Sequence, residues 1–183
     1  MNRAEALQLL KEYTQSESLL KHAYAVEAAM RAYAKKYDQD EELWGVVGLL
    51  HDFDYEMFPD QHPMKGSEIL EQKGLPEEIR RAILGHADFS GVPRETLIAK
   101  VLYAVDELCG FITAVTLVRP SRALSEVEVK SVKKKMKDKA FAAKVNRQDI
   151  IQGAEELGVD FDEHVAFVVQ AMSKVADRLG LNP

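Results

Sequence analysis

The sequence has a single cysteine, Cys109, in 183 residues, so no intramolecular disulfide can form and a reducing compartment fits. No stretch approaches the roughly 18 consecutive apolar residues of a membrane span. The opening residues Met1-Asn2-Arg3-Ala4-Glu5 lack the apolar core of a secretory signal. Together these absences predict a cytoplasmic protein with no membrane partner. Positive charge is not in excess either. A formal net charge of −6 excludes nucleic-acid binding over the whole surface, which needs a positive field. Strand alternation, internal repeats and low-complexity linkers are also missing.

What is present describes a folded chain, with 46% hydrophobic and 30% charged residues, a balance outside that of disordered sequences. The length suits one domain with a substantial core. Charge is unevenly placed. Residues 119–147 hold ten Lys or Arg against Glu126, Glu128 and Asp138, a balance of +7 that leaves −13 for the remainder. Such a segment can attract anionic substrates locally.

Apolar residues recur at helical spacing throughout. Helices are predicted over about Ala4–Tyr13, Glu17–Tyr37 (capped by Thr14, Ser16 or Ser18) and Glu41–Asp52, with a loop from Phe53 to Gln61. His62-Pro63 opens a fourth helix that Gly74 ends, and Pro76 starts another. A long helix is expected over Arg94–Val118, a basic one over Glu126–Met136, and two more over Arg147–Leu157 and Asp162–Leu179. The fold class is all-α, a single-domain helical bundle. In the last helices, Asp149 to Leu179, Phe161, Val165, Val168, Val169 and Met172 form a stripe that closes the core, part of which is available for a homodimer.

Several polar residues interrupt these apolar stripes. His22 lies between Leu19 and Val26, and His51-Asp52 ends the run Val46-Val47-Gly48-Leu49-Leu50. His86 continues Ile79-Ala82-Ile83, and Asp106 follows Val105. Taken singly, a core histidine is satisfied by hydrogen bonding, and a core aspartate by Arg or Lys. Taken together they would be several unrelated buried polar sites, whereas one metal centre in a bundle accounts for all of them. His62 reads alone as a loop histidine. His164 reads as a surface or capping residue on the flank of its helix.

The order His22 … His51-Asp52 … His62 … His86 … Asp106 resembles the HD-domain superfamily of metal-dependent phosphohydrolases. The likeness covers roughly residues 15–118 and leaves 119–183 as a helical extension. It implies that His22, His51, Asp52 and Asp106 hold one metal and that His62 and His86 hold a second, with Asp52 bridging. One or two divalent transition ions (Fe, Mn, Co, Ni or Zn) suit such mixed nitrogen and oxygen donors. The expected activity is hydrolysis of a phosphate ester of a nucleotide or other small phosphorylated metabolite, by metal-activated water. The six-residue pattern is equally that of mixed-valent di-iron HD-type oxygenases. A non-catalytic metal-containing sensor or scaffold is a third reading.

Around these ligands, Asp52, Glu56, Lys65 and Arg119 are the catalytic candidates. Lys21, Lys65, Arg119 and Arg122 are cations able to hold a phosphate. Asp54, Glu56 and Glu107 are possible bases or ligand supports. Adjacent helical residues face about 100° apart, so Glu107 is expected to point away from the ligands. The lysines of residues 130–137 read either as the solvated face of an amphipathic helix with Val129, Val132 and Met136 inward, or as a basic rim for phosphate.

Overall fold

The structure, a computed structural model, describes residues 1–183. It is all-helical: α1 Arg3–Tyr13, α2 Glu17–Lys36, α3 Glu41–Leu50, α4 Met64–Gln72, α5 Glu77–Leu84, α6 Leu97–Leu117, α7 Val129–Met136, α8 Arg147–Leu157, α9 Phe161–Ser173 and α10 Ala176–Leu179. No helix is long and apolar enough to cross a membrane.

Side chains at the helix starts explain several boundaries. Asn2 and Glu5 form a reciprocal capping box on α1, and Asp40, Thr96, Asn146 and Asp160 accept amide hydrogen bonds at the starts of α3, α6, α8 and α9. Each such cap stabilises its helix by about 1 kcal/mol. Helix α6 begins at Leu97, three residues later than predicted, because Thr96 supplies the cap. The last predicted helix is two. The helix is interrupted between Ser173 and Ala176, and α10 then packs on α2.

Helix α3 is apolar all round, with Trp44 to Leu50 buried, so it lies inside, pressed chiefly on α2, while α6 packs chiefly on α8. Glycine permits both approaches. A Cβ on Gly48 would lie 2.8 Å from the Cα of Glu27 in α2, and one on Gly153 would lie 2.7 Å from the Cα of Ala104 in α6. A glycine inside a helix costs about 1 kcal/mol relative to alanine, offset here by the packing it allows. The 42 buried apolar residues of the core run from Ala6 to Leu181. The C-terminal extension therefore shares the core of the region before it. Val165, Val168 and Met172 of α9 are fully buried in it.

Candidate metal centre

Six side chains meet where α2, α6 and the ends of α3, α4 and α5 converge. His22 projects from the second turn of α2 and Asp106 from the middle of α6. His51 caps the C-terminus of α3, and Asp52 follows in the turn. His62 precedes α4, joined to Pro63 by a cis peptide. His86 lies just past the end of α5, not within the helix as its stripe suggested. Apart from the adjacent pair His51-Asp52, nothing local brings these residues together; the helix packing does.

Asp52 divides the cluster. Its Oδ2 lies 3.2 Å from His51 Nε2 and 3.8 Å from His22 Nε2, while its Oδ1 lies 3.2 Å from His62 Nε2 and 3.1 Å from His86 Nε2. On the first side, Asp106 Oδ1 is 2.9 Å from His22 Nε2 and 3.2 Å from His51 Nε2, and the two imidazole nitrogens are 3.3 Å apart. Two donor sets result, His22–His51–Asp52–Asp106 and Asp52–His62–His86. Donors about 2.1 Å from one ion sit about 3.0 Å apart when adjacent in an octahedron and about 3.4 Å apart in a tetrahedron. Most spacings here fall in that range, so the residues fit a metal.

The far side of each imidazole supports this. His51 Nδ1 bonds the carbonyl of Gly48 at 2.7 Å, His86 Nδ1 bonds that of Ile83, and His62 Nδ1 bonds Asp54 Oδ1 at 2.7 Å. Each partner accepts an N–H, which leaves Nε2 with its lone pair directed inward. Asp54 is itself buried, and its second oxygen accepts the Gly66 amide at 2.7 Å.

Charge is arranged for cations. Burial opposes a charged His51, yet Asp52 and Asp106 hold its pKa well above the ordinary histidine value. Burial also pushes Asp52 and Asp106 up, but the imidazoles, His51 foremost, outweigh it and hold both below the usual carboxylate range. His62 reaches about 9 because Asp52 and Asp54 outweigh its burial. Protons held this way are the ones a divalent ion displaces.

Every donor but the fully buried His51 lines a cavity of about 630 Å³, and Asp52 keeps 26% of its side chain exposed toward it. Asp88, Glu107 and Asp149 make its outer wall acidic, Lys144 is the Lys or Arg that lines it, and the exposed Phe89 and Tyr55 also border it. Glu107 thus borders the cavity, contrary to the helical-wheel expectation. Its Oε2 accepts the amide of Asn146 at 3.1 Å, which draws it toward the start of α8.

Three catalytic candidates lie elsewhere. Glu56 Oε2 accepts the amides of Gln15 at 2.8 Å and Ser16 at 3.1 Å, so its carboxylate caps the start of α2. Ser16 makes no side-chain cap itself. Lys65 pairs with Glu68 at 3.0 Å and lies over Phe58. Arg119 lies past the end of α6 beside Glu126, thirteen residues beyond Asp106 and so about 20 Å along the helix direction. His164 is a further correction: 1% exposed, with Nδ1 2.5 Å from the Tyr33 hydroxyl and Nε2 donating to the Ala104 carbonyl at 2.9 Å. Burial holds its pKa below the ordinary value.

Two positioning residues escaped sequence reasoning. Arg94 is hydrogen-bonded to the Gly85 carbonyl and Asp88 and paired bidentately with Glu156, so it ties the turn carrying His86 to α8. Arg147 gathers the carbonyls of Met136, Asp138, Phe141, Ala142 and Val145, fastening the segment that presents Lys144. No motif marks either, because the partners are a distant acid in one case and backbone oxygens in the other.

Fold and donor sets define an α-helical protein with a histidine–aspartate cluster able to hold metal ions. A family model described as HD domain matches residues 19–110, which include all six donors; the chain belongs to the HD domain family, in general metal-dependent phosphohydrolases. No solved structure matches it. The residues facing the cavity from α8 and the segment before it, Lys144 to Asp149, lie outside the matched region.

Proposed function

We propose that the protein is a binuclear metal-dependent phosphohydrolase acting on a small phosphate ester. The observation that carries this reading is Asp52, whose two oxygens face two separate imidazole sets. His22, His51, Asp52 and Asp106 would hold one divalent ion, and Asp52, His62 and His86 the other. Such ions supply Lewis acidity and an activated water near neutral pH. The chain's own groups orient and select. Asp54 fixes the imidazole plane of His62, and the Gly48 and Ile83 carbonyls do the same for His51 and His86. Lys144 places one exposed cation at the cavity edge. Asp88, Glu107 and Asp149 repel anions from the outer wall, which confines a phosphoryl group to the inner end.

Metal content of protein purified without added metal, followed by turnover of phosphate monoesters, tests the reading. Two ions per chain and metal-dependent release of phosphate are expected; turnover insensitive to chelation removes the proposal. The shared carboxylate supports the di-iron oxygenase reading as well. Iron in both positions with substrate-dependent oxygen consumption, and no hydrolysis, would decide for that alternative.

A further inference from the structure

Gly110 occupies the middle of α6, four residues after Asp106 and so about one turn along the same face. It carries the cost of any mid-helix glycine without the reason visible at Gly48 and Gly153. A Cβ at 110 would meet no heavy atom within 4 Å, and Gly110 is not one of the glycines with positive φ. Neither packing nor backbone geometry requires a glycine there.

Open space lies beside it. Gly110 and His22 line the cavity of the donor cluster, and the same two residues line a second cavity of about 510 Å³. Thr113 and Leu117 of α6 form one wall of the second cavity, and Leu179 and Leu181 another. That wall is fixed, since Leu179 and Leu181 are buried in the core and the Leu181 carbonyl accepts the Leu124 amide at 2.9 Å. Lys21 also lines this cavity, but Glu17 neutralises it at 2.6 Å. The second cavity therefore offers leucine and threonine surface with no unpaired cation.

We propose that the second cavity is the subsite for an uncharged, largely apolar substituent of the substrate, and that Gly110 is the specificity-determining opening through which the substituent leaves the metal centre. The identity of the head group, a phosphoryl at the His/Asp cluster, rests on the phosphohydrolase reading. The substituent must be long enough to pass α6 beside His22. A second anionic group would have to displace Glu17 from Lys21. Any side chain at position 110 would project into the opening, which accounts for glycine where alanine makes the better helix.

The test uses metal-loaded protein and two non-hydrolysable probes, methylphosphonate and 4-phenylbutylphosphonate, with binding measured by calorimetry. Wild type should bind the longer probe at least about tenfold more tightly, as expected for several buried methylene groups. Gly110→Leu should shrink the ratio between the probes to within about twofold, and Gly110→Ala should reduce it part way while raising the Tm. If the Leu variant fails to fold, the Ala variant carries the comparison. Equal binding of the two probes by wild type, no binding of either, or an undiminished ratio in both variants overturns the subsite. A preserved probe preference with no hydrolysis of methyl or 4-phenylbutyl phosphate would sink the phosphohydrolase reading and leave the subsite standing.

Discussion

Asp52 is the residue on which both donor sets depend, because each of its oxygens faces a different pair of imidazoles. Asp52→Ala should reduce bound metal from two ions per chain to nearly none, whereas His62→Ala should lose one ion and keep the other. Elemental analysis after gel filtration distinguishes these outcomes; full occupancy in the Asp52 variant would show the assignment wrong. His164 supplies a prediction of a different kind. His164→Leu orphans the buried Tyr33 hydroxyl and should lower stability by about 1–3 kcal/mol in urea titrations. Its pH signature has a definite sign. The folded pKa is depressed by burial, so the unfolded chain binds the proton first as pH falls. The contribution is complete above about 6.5 and is lost progressively at lower pH. In wild type the Tm should fall more steeply below that pH than in the Leu variant.

At the scale of elements, the donors sit at helix ends that other elements hold in place. Glu56 caps α2 from the loop after α3, and so ties the helix bearing His22 to the turn bearing Asp52. Arg94 bridges Gly85, Asp88 and Glu156, which fixes the turn after α5. Arg94→Ala should lower occupancy of the His62–His86 position while leaving the other ion in place, as read by metal titration. Equal loss of both ions would mean that Arg94 supports the fold generally and not that turn. The basic helix α7 now has a plain role. Val132 is buried, Lys133 pairs with Asp162 and Lys135 lies over Phe141, which is the solvated amphipathic face and not a rim around the metals. Neutralising Lys133, Lys134 and Lys137 together should leave inorganic phosphate affinity unchanged at low salt. Lys144→Met should weaken it by about two- to fivefold, the effect of one exposed charge.

For the whole molecule, metal and fold are linked. Ions that bind only the folded chain stabilise it by about 2.7 kcal/mol when present at a hundred times their Kd. Chelation should therefore lower the Tm, and restoring the metal should recover it. A Tm indifferent to chelation would deny that the six donors hold an ion. Phosphate binding should also require metal, because the cavity wall is otherwise acidic and repels the anion.

The sequence by itself determined the class of fold and singled out His22, His51, Asp52, His86 and Asp106, which the structure brings together. Helical periodicity is a local property, and polar residues on apolar stripes are visible without knowing what faces them. It also put His62 beside them, although only family resemblance, not local pattern, could do so. Tertiary structure alone decided the rest. Which carboxylate lies between the two sets depends on how α2, α3 and α6 cross, and the close approach at Gly48 sets the crossing of α2 and α3. Glu107 turns to the cavity because a residue 39 positions away offers it an amide. His164, expected at the surface, is buried because Tyr33 and Ala104, on two other helices, supply its partners. Glu56, Lys65 and Arg119 lie away from the cavity for the same reason. Sequence proximity to a ligand does not set direction in space, and a charged group goes where its partner is.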